Sequence, residues 1–374
     1  MERIIGEAKR LRALLHDMPE PSGGEYRTKA ALLAYLRRSA GLELVDCGGW
    51  FYAAHREPDA AESLALRAEL DAVTLDDGSV FHGCGHDGHM SVMAALAAAA
   101  GDRRLGRNLF FLFQHAEETG AGAADCCALF ERERIDAVFG FHNCPGFPAG
   151  SVLLRQGSFA CASRGLLLRF TGRRSHAAYP ENGNNPIFPM AAFFEAWAEL
   201  TDPARYRGMV LMTPVYLASG ACAFGVAPGG GARGLTLRAG SDTDLDLLDA
   251  AVRERAGGLA AESGLGLEIE VRDPFPATVN DPALHARVSR AAAAAGLPCL
   301  TPPEPFRWSE DFGHYGAHTR AFFCGVGAGE TAADLHTPGY EWNDAVTAAA
   351  VRLFGSLIGL SVTGNKQIEK ENKS

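Results

Sequence analysis

Excess positive charge, long apolar runs and C-x-x-C spacing are all missing from this 374-residue chain. The formal charge is -10 at pH 7, so neither nucleic acid nor an anionic membrane is an expected partner. A local basic pocket can still exist within an acidic protein. The longest smooth apolar stretch, near Met93 to Ala100, is too short and too alanine-rich to cross a bilayer. Nine cysteines, an odd number scattered over the chain, suit the reduced thiols of a cytoplasm better than a disulfide framework. The absence of C-x-x-C argues against a closed structural zinc site, in which four Cys and His ligands are usually closely paired. There is no G-x-S-x-G and no convincing Ser/His/Asp set, which disfavours a serine nucleophile. The glycine run PGGGARG lacks the Lys-Ser/Thr of a phosphate loop.

What is present is patterned. The length predicts two domains. The start, MERIIGEAKRLRALLHDM, is charged throughout, and Ile4, Ile5, Ala8, Leu11, Leu14 and Leu15 recur at helical spacing. An amphipathic surface helix is expected there rather than a secretory signal. Leu64 to Leu70, Asn108 to Phe113 and Ile135 to Phe141 are apolar runs that predict strands, and MSVMAALAAAA after His89 predicts a helix. This alternation predicts an α/β, mostly parallel sheet. From about Ser163 the rhythm changes. GLLLRF, Met209 to Leu217, Gly234 to Ala239 and Leu265 to Arg272 predict strands, with PGGGARG as the turn between the middle two. Pro186 to Leu200 and the stretch capped by Ser241 predict helices, giving the βαββαβ order of a ferredoxin-like unit. The expected organisation is a large domain of residues 1–162 and 276–374 with a small α+β domain, 163–275, inserted. Ala321 to Gly327 predicts a further strand of the large sheet, and the polar tail GNKQIEKENKS is expected to fray.

Candidate chemistry collects where apolar runs end. HGCGHDGH, residues 82–89, crowds Cys84, His86, Asp87 and His89 into a glycine-rich turn. Glu117 and Glu118 follow the run ending at Phe113, and adjacent carboxylates stay ionised most cheaply beside a cation. One can ligate while the other serves as general base. His142 ends a strand, with Asn143 and Pro145 expected to turn the chain. His336 lies in the polar segment DLHTPGYEWND. Asp71, closing LALRAEL, can orient a ligand histidine from behind. Each residue alone has a bland reading as cap, core or surface group. Together, at the edge where open α/β sheets bind ligands, they point to a hydrolytic metal centre.

HGCGHDGHM, FQHAEETGAGA, GFHNCPGFPAG, GRRSHAAYP and LHTPGYEWND, with LHDMPEPSGGEYRT, LRAELDAV and SEDFGHYG, carry a resemblance running nearly end to end. The chain resembles the amidohydrolase branch of the co-catalytic dinuclear metallopeptidases: hippurate hydrolase, N-acyl amino acid amidohydrolases and auxin-conjugate hydrolases. The wider family includes acetylornithine deacetylase. The resemblance implies Cys84, His86, Glu118, His142 and His336 as ligands of two divalent ions, Glu117 as general base and Asp71 as the carboxylate behind the ligands. It implies that the small domain is a lid and homodimerisation domain, that His176 stabilises the oxyanion and that Arg238 holds the substrate carboxylate. Thiolate favours zinc, while the oxygen and nitrogen ligands also admit manganese, cobalt or nickel. The implied reaction is cleavage of a small N-acyl amino acid, or a related amide, by metal-activated water. A dipeptidase or carboxypeptidase using the same centre is the near alternative, and a metal-dependent binding protein without catalysis is the distant one. Two positions depart from the pattern: Gly225 stands where relatives usually carry asparagine, and His115 where they carry proline. The missing amide removes a hydrogen bond to a charged group, worth about 1.5–3 kcal/mol.

Overall fold

A computed structural model describes residues 1–360, and the tail segment GNKQIEKENKS lies outside them. The described chain divides into two compact units. One comprises Met1–Phe159, Val279–Glu304 and the chain from Asp311 onward; the other comprises Ala160–Thr278 and Pro305–Glu310. No helix among the described residues is long and apolar enough to cross a membrane.

The first unit is built on an eight-stranded sheet. Its centre is four mutually parallel strands in the spatial order Asn108–Gln114, Ser63–Glu69, Ala137–Pro145 and Arg320–Gly329. Phe51–His55 joins one side antiparallel, followed by Glu43–Asp46. On the other side come Val152–Leu153 and Cys299–Leu300. The central strands are apolar along their length because both faces are covered; Leu109 through Phe113 are buried without interruption. Helices Glu2–His16, His86–Ala100, Pro282–Ala294 and Asp344–Ile358 contribute to the same core. The first buries Ile4, Ile5, Ala8, Leu11 and Leu15, while Leu14 points outward.

Two local expectations need correction here. The strand carrying His142 does not turn at Asn143; it continues to Pro145, paired with Arg320–Gly329 to the end. Proline has no N–H to give a ladder, so it fits as the strand's last residue. The helix expected after His89 begins at His86, one turn early. Gly85 makes that start possible. Its φ of 88° is left-handed, and a Cβ there would lie 2.4 Å from Tyr340 Oη.

The second unit holds a four-stranded antiparallel sheet in the order Val210–Ser219, Gly230–Ala239, Ala162–Thr171 and Gly266–Phe275. Numbered along the chain this is 2-3-1-4, the interleaving of a split βαβ arrangement. Helix Asp242–Glu262 packs Leu245, Leu248 and Val252 into this unit's core. Ser241 caps that helix, its Oγ accepting from Asp244 N at 3.1 Å. The run PGGGARG is not a turn: from Gly230 on it is strand, paired on both sides. Its glycines answer close packing; a Cβ on Gly231 would fall 2.6 Å from Met190 Sδ. The stretch after Pro186 breaks into Ile187–Ala192, a 3-10 turn Phe193–Ala196 and Trp197–Leu200.

Candidate metal centre

Parallel strands deliver the candidate residues to one edge of the large sheet. Asp71 follows Ser63–Glu69, Glu117 and Glu118 follow Asn108–Gln114, and His142 lies near the end of Ala137–Pro145. His336 comes after Arg320–Gly329, with its backbone in the left-handed region (φ 62°). Cys84 sits in the turn before helix His86–Ala100, and His86 is that helix's first residue.

The side chains converge. Cys84 Sγ lies 3.3 Å from His142 Nε2 and 3.2 Å from His336 Nε2. His336 Nε2 is 3.4 Å from Glu118 Oε1, and His86 Nε2 is 3.8 Å from the same oxygen and 3.9 Å from Glu117 Oε2. Three overlapping ligand triplets result: Cys84, His86 and His142; Cys84, Glu118 and His336; and His86, Glu117 and Glu118. Cys84, His86 and Glu118 each belong to two of them, so the three triplets form one connected set of donors.

Neighbouring groups fix how the rings face. His86 Nδ1 donates to the Asp71 carbonyl at 3.0 Å and lies 3.3 Å from Asp71 Oδ1, which leaves Nε2 toward the cluster. His142 Nδ1 donates to Asn143 O at 2.8 Å, again freeing Nε2 to ligate. Buried polar atoms are nearly always paired, yet His86 Nε2 and Glu118 Oε1 are buried here without a hydrogen-bond partner. A divalent cation satisfies both, so the residues fit the metal that the donor set suggests. Electrostatics agree. Burial opposes a charged His86, but the Asp71 hydrogen bond and the charges of Glu69, Asp71 and Glu118 outweigh it, raising its pKa to about 10. That surplus of carboxylate calls for positive charge. Burial also resists ionisation of Asp71, yet the His86 contact and the donors Glu118 N and Ser22 Oγ hold it below the usual range. His142 is pushed well down by burial and by the neighbouring His89, keeping it neutral as a ligand must be.

HGCGHDGH does not act as one cluster. Asp87 is turned about 100° from His86 on the helix, whereas His89, nearly one turn on, stays on the side of His86 and groups with it and Glu69 rather than with Cys84. Asp87 turns to the first helix, 2.8 Å from His16 Nδ1 and 3.1 Å from Arg12 Nη1. His82 Nε2 donates to Leu15 O at 3.1 Å. His89 spends both nitrogens on Glu69 Oε2 (2.9 Å) and Asn143 Oδ1 (2.8 Å). Asn143 in turn donates to Tyr340 Oη at 2.8 Å. Beneath lies a buried network that the sequence did not reveal. Arg67 donates to Glu69, to Gln114 Oε1 at 2.7 Å and to Asp311 Oδ1 at 2.7 Å. One signal was available: an arginine inside an otherwise apolar strand.

His176 and Arg238, expected to meet substrate, belong to the second unit. His176 is exposed on the short strand Ser175–His176, paired with Val226–Ala227, and its Nδ1 accepts from Ala178 N at 3.0 Å. Arg238 Nη1 donates to Arg307 O and Ser309 Oγ, each at 2.9 Å. Gly225 adjoins His176, its carbonyl accepting from Ala177 N at 3.0 Å. His115 Nε2 faces Asp125 Oδ2 at 3.3 Å.

An uncharacterised hydrolase of Staphylococcus aureus (strain USA300) is 26% identical over 370 residues, covering 92% of this chain and 95% of that protein. Among solved structures, the YXEP protein of Bacillus subtilis, described as a dinuclear metal binding peptidase from the M20 family, superposes with a TM-score of 0.81. It shares 22% identity, with 96% of this chain and 99% of that one covered. The aminobenzoyl-glutamate utilization protein of Klebsiella pneumoniae gives a TM-score of 0.73 at 18% identity, covering 96% of both chains. These likenesses establish the fold. The sequence pattern of peptidase family M20/M25/M40 matches residues 65–358, which span the whole candidate centre. The chain belongs to that family and is a metal-dependent hydrolase of amide bonds.

Proposed function

We propose that this protein is an amidohydrolase that cleaves the amide of a small N-acyl amino acid or related compound, using two divalent cations. The observation that carries the reading is the overlap of the ligand triplets at Cys84, His86 and Glu118, with Glu117 at their margin. Cys84, His86, Glu118, His142 and His336 hold the cations, zinc or manganese in preference to cobalt or nickel. When bound, the pair supplies Lewis-acid polarisation of the amide carbonyl and acidifies the attacking water. Glu117 takes the proton from that water and passes it to the departing nitrogen. Its carboxylate is buried, and Asp311 N approaches Glu117 Oε1 at 3.5 Å. Asp71 keeps the His86 ring in its ligating tautomer. His176 donates to the developing oxyanion, and Arg238 holds an anionic end of the substrate.

The second unit, which contains the expected inserted domain 163–275, is assigned as lid and homodimerisation domain. Val210–Ser219 supports this reading: it is an edge strand that exposes Val215, Tyr216 and Leu217, a liability unless a second copy covers it. Reduced thiols fit a cytoplasmic setting; none of the nine cysteines is disulfide-bonded.

Exhaustive chelation followed by Mn or Zn reconstitution tests the reaction, on a panel of N-acyl amino acids, dipeptides and uncharged amides. Activity lost on chelation, restored by the cation and greatest on N-acyl amino acids is the expected result. Faster dipeptide cleavage would replace the proposal with a peptidase. Activity untouched by chelation would refute the mechanism, and cation binding without any turnover would make the protein a binding module.

A further inference from the structure

Ala116, immediately before Glu117-Glu118, has a left-handed backbone with φ 49°. A residue with a Cβ resists this conformation and needs its surroundings to impose it. The surroundings are visible on both sides of the peptide. The Ala116 carbonyl accepts from Gly122 N at 3.1 Å and Ala121 N at 3.2 Å, closing the loop behind it. The Ala116 N–H donates at 2.8 Å to Oε1 of Glu25, a buried carboxylate 91 residues earlier in the chain. That oxygen also accepts from Gly23 N at 2.8 Å. The segment carrying Glu25 is itself anchored along the end of the Asp71 strand. Ala72 N donates to Glu20 O at 2.8 Å, and Ser22 Oγ donates to Asp71 Oδ2 at 2.7 Å. Glu118 N donates to that same Asp71 oxygen at 2.9 Å. The backbone amides flanking Glu117 are therefore each held by a buried carboxylate, Ala116 by Glu25 and Glu118 by Asp71.

We infer that Glu25 is a positioning residue for the Glu117-Glu118 pair: by accepting the Ala116 N–H it imposes the left-handed turn that aims both carboxylates at the cation cluster. The roles of Glu117 and Glu118 rest on the function proposed above; the clasp itself does not. Burial pushes the Glu25 pKa up against the pull of its backbone donors, as befits a group used for its reach as an acceptor rather than for its charge.

Two substitutions separate reach from charge. Glu25→Gln removes the charge and keeps an oxygen at the same distance. Glu25→Asp keeps the charge and withdraws the oxygen by one methylene. Hydrogen exchange over residues 115–122 and steady-state kinetics of the cation-loaded enzyme are the readouts. Glu25→Asp is expected to speed exchange of the Ala116 amide about tenfold or more. It should lower kcat about ten- to hundredfold, with KM within about threefold. Glu25→Gln should stay within about threefold of the parent in both. Unchanged exchange in Glu25→Asp, or Glu25→Gln impaired while Glu25→Asp is not, would overturn the inference. If no amide is turned over, the function proposed above fails, and the exchange comparison still decides the clasp.

Discussion

Replacing Arg67 by methionine should remove much of the first unit's stability, and the cost can be worked from its contacts. The guanidinium is buried and answers three acceptors: Glu69, Gln114 Oε1 and Asp311 Oδ1. Asp311 also takes Gln114 Nε2 at 2.7 Å and Ala123 N at 2.9 Å, so it ties the loop bearing Glu117 to the sheet. Burial works against an ionised Glu69, yet Arg67 and His89 hold it well below the usual range; for Asp311 burial wins and lifts the pKa to about 6. Methionine fills the space but leaves Glu69 with His89 alone and Asp311 with neutral donors only. Breaking one side of a buried pair costs about 3–5 kcal/mol, a large part of the roughly 5–15 kcal/mol that a domain possesses. The pH dependence has a definite sign. Without Arg67 both native pKa values rise, and that of Asp311 already stands above its unfolded value, so the folded variant holds protons more firmly than the parent does. Stability then falls as pH rises, and the deficit should be larger at pH 8 than at pH 5. Urea unfolding followed by circular dichroism at both pH values measures it. Arg67→Met/Glu69→Gln/Asp311→Asn should recover at least half of the loss, since no stranded charge remains. A deficit below about 1 kcal/mol at pH 8, or one that grows on acidification, would show that Arg67 does not neutralise this pair.

Glu117→Ala should retain its cations by elemental analysis while kcat falls about 10²–10⁴-fold; a near-parental rate would remove Glu117 as the base. The hydrogen bond to Asp87 raises the pKa of His16, so its stabilisation is complete below the ordinary histidine value and disappears as pH climbs through the raised one. His16→Gln should accordingly cost more at pH 6 than at pH 9, though under about 1 kcal/mol because the ring is half exposed. Equal costs at the two pH values would rule the charge out. At Gly225 an added Cβ would meet no heavy atom within 4 Å, so Gly225→Asn should fold normally. If the substrate carboxylate lies beside Gly225, the variant's KM should fall about ten- to hundredfold for N-acyl amino acids and stay put for uncharged amides. A parallel shift for both classes would place the carboxylate elsewhere.

The sheet and the edge where the candidate residues gather were legible because a buried parallel strand writes itself as an unbroken apolar run. The first polar residues after NLFFLF and LALRAEL had to lie where those strands end. What lay beyond such reasoning depends on long-range pairing. Nothing local announces that Arg67 meets a carboxylate 244 residues later, or that Glu25 holds the Ala116 amide. Local rules also misjudged two boundaries for physical reasons. Asn143 and Pro145 have turn-forming side chains, but the neighbouring strand continues to supply partners and the ladder wins. Likewise PGGGARG has turn composition, yet its glycines serve the close approach of Met190. The histidines of HGCGHDGH show the same limit from another side. Composition marked all of them as potential ligands, whereas the early helix start at His86 sends His89 to Glu69 and Asn143. Arg67 is the instructive exception. A charge inside an apolar strand cannot stay unpaired without a penalty of several kcal/mol, so the arginine in LALRAEL calls for buried acids, which Glu69 and Asp311 supply.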